Sequence, residues 1–208
     1  MAKKQTVDAL VREAQKKRQK FLLLTDLGLT ELPESVCELT QLERLEASRN
    51  QLKALPKNLT NLVQLTELEL NRNEFKRPWD VCAVDSLREL GLADNEISEI
   101  SPQISRLQRL RSLDLGFNQI KRLTEGLGAL PELVSLDLSA NQLKSIPAAV
   151  LSGMTNLTQL FLGGNTEMSI VPANIFDHPS LAELHLDAEQ YRNVPRAVIE
   201  RGRPSVHL

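Results

Sequence analysis

Glu183, His185 and Asp187 alternate along one short stretch of the chain, and nowhere else does an imidazole sit so close between two carboxylates. In an extended strand alternate residues point to one face, so these three would share it. Metal binding is the chemistry such a set could serve. Same-face neighbours lie about 7 Å apart, however, and a tight metal site closes its geometry with ligands from several elements. The set therefore reads as solvated or partner-facing, and no metal or cofactor is expected.

The remaining catalytic inventory is thin. The chain has three histidines (His178, His185 and His207) and two cysteines (Cys37 and Cys82), none in a recognisable motif. No GxxxxGK[ST], no GxGxxG opening a helix and no GxSxG occurs, so phosphate-cradling and hydrolase chemistries lack their signatures. Two Asn-Leu-Thr triplets, at Asn58 and Asn156, match a glycosylation pattern but belong to a recurring phrase, TNLxxL. The reading is not an enzyme.

The elements that must position these residues come from a repeat. The string LxxLxLxxN appears as LERLEASRN from Leu42 (with Ala47 in the third leucine's place), LTELELNRN from Leu65, LRELGLADN from Leu87, LRSLDLGFN from Leu110, LVSLDLSAN from Leu133 and LTQLFLGGN from Leu157, with a period of 22 to 24 residues. Degenerate copies flank these, with Leu22, Leu24 and Leu27 in front and LAELHLDAE from Leu181 behind. The period-two xLxLx core predicts a short strand with its leucines inward. The longer spacing that follows (Val36, Leu39, Leu42; Leu59, Leu62, Leu65) suits a helical turn returning the chain to the core. Prolines 33, 56, 147, 172 and 195 open that segment, where a fixed φ and a missing N–H cost little.

These residues resemble the leucine-rich repeat family, most closely its cytoplasmic bacterial, plant intracellular Ras-group-related and Roco-type members. The resemblance implies an α/β solenoid, a curved horseshoe with a parallel sheet on its concave face and short helices or irregular turns on its convex face. Asn50, Asn73, Asn95, Asn118, Asn141 and Asn165 recur in phase with the leucines and predict an internal hydrogen-bonded column, since an amide both donates and accepts. Leu27 and Glu189 replace asparagine in the terminal units. Cys37 and Cys82, each four residues after a proline, fall two repeats apart, roughly 10 Å and too far for a disulfide. Both read as buried structural thiols.

The domain reading is an amphipathic capping helix within residues 1–20, a solenoid of about eight repeats over 21–195, and a C-terminal cap or tail over 196–208. The helix, placed over residues 6 to 20, rests on Val7, Leu10, Val11 and Ala14 after Thr6, with Lys16, Lys17, Arg18 and Lys20 at its basic end. The tail is similar to the segment leading out of the repeats in Roco proteins.

The concave face carries the informative polar residues. Its column Glu46, Glu69, Gly91, Asp114, Asp137, Phe161, His185 sets like charges about 5 Å apart on neighbouring strands, and Glu67 beside Glu89 does so again. Such pairs oppose folding, so they suggest selection by a partner. Arg44, Arg49 and Arg72 gather at the N-terminal end, while Phe117 and Phe161 read as outward aromatics on solvent-facing strands. The expected site is this face, with Glu183, His185 and Asp187 at its far end. Its expected ligand is a basic, partly apolar segment of a partner protein.

A formal net charge of −2 gives no overall electrostatic case for nucleic acid, and no apolar run reaches membrane-spanning length. The N-terminus has no apolar signal region, and the cysteines form no terminal cluster, so the expected location is the cytoplasm. Two rival expectations remain: the recognition arm of a multidomain enzyme such as a Roco-type GTPase or a ubiquitin ligase, and a self-associating structural protein.

Overall fold

The structure, a computed structural model, describes residues 2–168, 171–202 and 204–208. Among the described residues, helix α1 (Ala2–Lys16) leads into nine three-residue strands: β1 (Phe21–Leu23), β2 (Arg44–Glu46), β3 (Glu67–Glu69), β4 (Glu89–Gly91), β5 (Ser112–Asp114), β6 (Ser135–Asp137), β7 (Gln159–Phe161), β8 (Glu183–His185) and β9 (Ser205–His207). They form one parallel sheet in sequence order, each strand in register with the next. The chain is an α/β solenoid with one parallel sheet, as the resemblance implies.

Register explains the packing. The central residues Leu22, Leu45, Leu68, Leu90, Leu113, Leu136, Leu160 and Leu184 are all buried, one above another. Full burial of each such side chain stabilises by about 2 kcal/mol, so the sheet is held by a leucine column more than by any local preference for strand.

Four 3₁₀ segments return the chain in the N-terminal half: Glu34–Glu38, Leu59–Asn61, Trp79–Ala83 and Pro102–Arg106. Short α-helices do so afterwards: α2 (Glu125–Gly128), α3 (Ala148–Gly153), α4 (Ala173–Phe176), α5 (Ala188–Arg192) and α6 (Arg196–Arg201). Prolines 33, 147, 172 and 195 stand at the N-caps of four of these segments. Residues 196–208 contribute α6 and the ninth strand, with Val198 buried.

Helix α1 packs Val7, Val11 and Ala14 against the first repeat. It starts and ends about four residues earlier than the apolar spacing alone suggests, and Thr6 lies inside it. The stop is a Schellman turn: Arg18 is left-handed at φ 50, its N–H bonds Gln15 O at 3.1 Å, and Gln19 N–H bonds Ala14 O at 2.9 Å. Among the described residues no helix is long and apolar enough to cross a membrane.

Candidate functional site

The asparagine column fixes how each strand turns away from the sheet. Asn118 Nδ2 donates to Leu92 O, Leu115 O and Gly116 O at 2.9 to 3.1 Å, and its Oδ1 accepts from Ile97 N–H at 2.9 Å. Asn50, Asn73, Asn95, Asn141 and Asn165 repeat the pattern. In the last unit, Gln190 takes the place that sequence phase assigns to Glu189. Almost fully buried, it donates from Nε2 to Leu162 O and Met168 O at 3.3 Å.

The residue before each asparagine is left-handed: Arg49, Arg72, Asp94, Phe117 and Ala140 have φ between 48 and 58°, and Gly164 has 78°. The N–H of each of the first five bonds a carbonyl of the next repeat, as Phe117 N–H does to Ser139 O at 2.9 Å. This placement corrects one sequence expectation. Phe117 lies beyond β5, on the lip of the sheet, where the residue is 65% exposed. Arg49 and Arg72 occupy the same lip, Arg72 facing Asp94 at 3.5 Å.

Two outward columns run across the strands. The first reads Phe21, Arg44, Glu67, Glu89, Ser112, Ser135, Gln159, Glu183, Ser205. The second reads Leu23, Glu46, Glu69, Gly91, Asp114, Asp137, Phe161, His185, His207. Phe21 and Leu23, 54% and 56% exposed, give the face an apolar N-terminal end that the sequence reading passed over. The signal was present: Leu22 and Leu24 share the phase of Leu45 and Ala47, which turns their neighbours outward.

The opposite end is aromatic. Phe161, His185 and His207 stack with centroids 4.2 and 4.8 Å apart, and Glu183 accepts from Gln159 Nε2 at 3.0 Å. The expectation of a freely exposed Phe161 is therefore corrected, because His185 covers one side of its ring. Asp187 is corrected too: it caps α5, its carboxylate accepting from Gly164 N–H and Gln190 N–H, and leaves the strand's alternating face. Among the described residues, no three His, Cys, Asp or Glu side chains gather as a metal ion would need.

Between these ends lie the carboxylates, in the facing pairs that the spacing predicts: Glu46 with Glu69, Asp114 with Asp137, Glu67 with Glu89. Their presence is less costly to the fold than like charge alone implies. Glu46, Asp114 and Asp137 each accept from the N–H two residues on (Ser48, Gly116, Ser139) at 3.1, 3.0 and 2.7 Å, so each closes a turn. Arg44 reaches Glu67 at 3.1 Å.

Glu69 does something different. It folds sideways over Gly91, filling space that any Cβ there would need, and accepts from Asn71 Nδ2 at 2.9 Å. Asn71 Oδ1 in turn accepts from Ala93 N–H at 2.7 Å. Burial, with Glu46 and Asp114 on either side, pushes the Glu69 carboxyl up to about 7 against the pull of Arg44 and Asn71. Burial also raises Asp114, opposed by the Gly116 N–H and reinforced by Asp137. Cys37 and Cys82 are free and buried, and burial lifts both thiols to about 11, far from thiolate chemistry.

Residues 85–143 and 131–190 match the model of the leucine-rich repeat family, together just over half of the chain. The chain belongs to the leucine-rich repeat family. A leucine-rich repeat protein of Leptospira interrogans is similar in structure, with a TM-score of 0.61 and 23% identity over 86% of this chain and 58% of that one. So is the plant peptide hormone receptor RGFR1 in complex with RGF2, with a TM-score of 0.62 and 25% identity over 85% of this chain and 34% of that one. The chain thus spans less than two thirds of the first neighbour's length and about one third of the second's. No curated protein matches it. Leucine-rich repeats are solenoids whose stacked units create extended binding surfaces, a fold commonly used for protein interaction.

Proposed function

We propose that this solenoid is a non-catalytic protein–protein interaction module whose sheet face, concave in this family, takes an extended basic and partly apolar segment of a partner protein. The observation that carries the proposal is the order of chemistry across the strands: exposed Phe21 and Leu23, then Glu46, Glu69, Asp114 and Asp137, then the Phe161–His185–His207 stack with Phe117 on the lip. Apolar ends around an acidic middle match a cationic segment flanked by apolar anchors. The plant receptor's complex with RGF2 supports a partner of protein nature. The two unpaired, buried cysteines support a reducing, cytoplasmic setting.

Calorimetry with synthetic peptides tests the reading. Peptides carrying arginines between leucine or phenylalanine anchors should bind, and acidic counterparts should not. Changing Asp114 and Asp137 together to Asn should weaken that binding tenfold or more while the fold stays as stable or gains slightly, because Asn Oδ1 still accepts the turn N–H and the like-charge pair is gone. Peptide affinities unchanged by the double variant and by Phe117→Ala would remove the sheet face as the site.

A further inference from the structure

We infer that the acidic column is a proton-gated docking site, in which Glu69, folded over Gly91 between Glu46 and Asp114, releases its proton when a basic segment lies across it. This rests on the docking reading above and adds its regulation: capture strengthens as pH rises through neutrality.

The geometry carries the inference. Gly91 is the one member of the second column without a side chain, and it sits between the acidic residues of β3 and β5. Glu69 has the reach to fill that gap, and in doing so it leaves water and moves towards Asp114. On β2 it meets Glu46, with Arg44 the cation acting on it. Across the gap stands Asp114, itself next to Asp137. At the turn, Asn71 donates to it, and Arg49 and Arg72 line the same hollow as Glu46 and Asn71. Glu67 and Glu89 belong to the other column. Carboxylates thus outnumber the cations acting on this seat, and the cheapest relief is one proton on Glu69, which is half-buried like Asp114 but accepts from the Asn71 side chain where Glu46, Asp114 and Asp137 each accept a backbone N–H. The pKa near 7 agrees with that assignment.

A basic segment supplies the missing positive charge, so it favours the ionised carboxyl and displaces the proton. Below neutrality the seat is neutral and the segment must first drive the proton off; above it the charge is already there. For one linked proton the affinity rises by about tenfold between pH 6 and pH 8.

Carbon-13 titration of the Glu69 carboxyl in the free protein, together with calorimetry of an oligoarginine peptide at pH 6, 7 and 8, tests this. Arginine stays charged throughout, so the peptide contributes no titration of its own. The expected results are a Glu69 midpoint near neutrality and an affinity gain of about tenfold from pH 6 to pH 8. Gly91→Ala evicts the carboxyl from its seat, so its midpoint should fall to the usual carboxylate range and the affinity gain should shrink. Glu69→Gln should shrink the gain without touching Gly91. An ordinary Glu69 midpoint in the native chain overturns the gate and leaves the docking reading standing. A neutral midpoint with an affinity gain equal in the native chain and Glu69→Gln also overturns the gate. A neutral midpoint with no peptide binding at any pH overturns the docking reading, and the gate with it.

Discussion

Asn50→Ala should destabilise the protein more than Asn118→Ala, although the two asparagines hold equivalent places in the repeat. Asn118 touches three carbonyls, but each has a second donor: Leu92 O accepts from Asn95, Leu115 O from Asn141, and Gly116 O from Asp94 N–H. Only Ile97 N–H loses its acceptor, which costs about 1–3 kcal/mol. Asn50 stands at the column's end. Its Oδ1 serves both Leu27 N–H and Leu29 N–H, at 3.1 and 3.0 Å, and its Nδ2 is the donor to Leu24 O at 2.8 Å. Leu24 and Leu29 are buried, so two enclosed groups and one partly enclosed group are stranded, for about 2–6 kcal/mol. Urea unfolding followed by circular dichroism measures both, with an unchanged slope as the sign that the same cooperative unit unfolds. Equal losses, or a larger loss at Asn118, would refute the reasoning that neighbouring asparagines share carbonyls and only the amide N–H depends on one partner.

Glu69 binds a proton in the folded chain at a pH where an unfolded carboxyl has lost it, so folding stability should fall as pH rises from the usual carboxylate range to about 7. After allowance for solvent screening, the change is about 1–2 kcal/mol, and urea midpoints across that range should flatten in Glu69→Gln. Phe117→Gly should raise stability by up to about 1 kcal/mol, because glycine accepts the left-handed turn without strain, while peptide affinity falls; a loss of stability would show that the ring packs against the fold. Deleting residues 1–19 should uncover the core face of the first repeat and cause dimerisation or loss of solubility in light scattering, whereas a stable monomer would show that α1 is dispensable to the core.

The sequence by itself determined the repeat, the parallel sheet and the in-phase asparagines, because a solenoid contact joins equivalent positions of neighbouring units and the period therefore carries the register. Hence Glu46 could be set beside Glu69, and Asp114 beside Asp137, without any coordinates. Phase alone could not say what happens where the repeat degenerates or where a side chain leaves its own column. Gln190 takes the last place in the amide column because α5 starts at Ala188 and shifts the register by one. Asp187 turns from the face to cap that helix, and Phe117 leaves the strand for the lip because the turn needs a left-handed residue there. Glu69 reaches across Gly91 because side-chain length and an empty neighbouring position matter together, and that pairing exists only when strands 22 residues apart in sequence lie side by side. Tertiary structure decided these points because each depends on which space is left vacant, a property of the packed chain that no periodicity records.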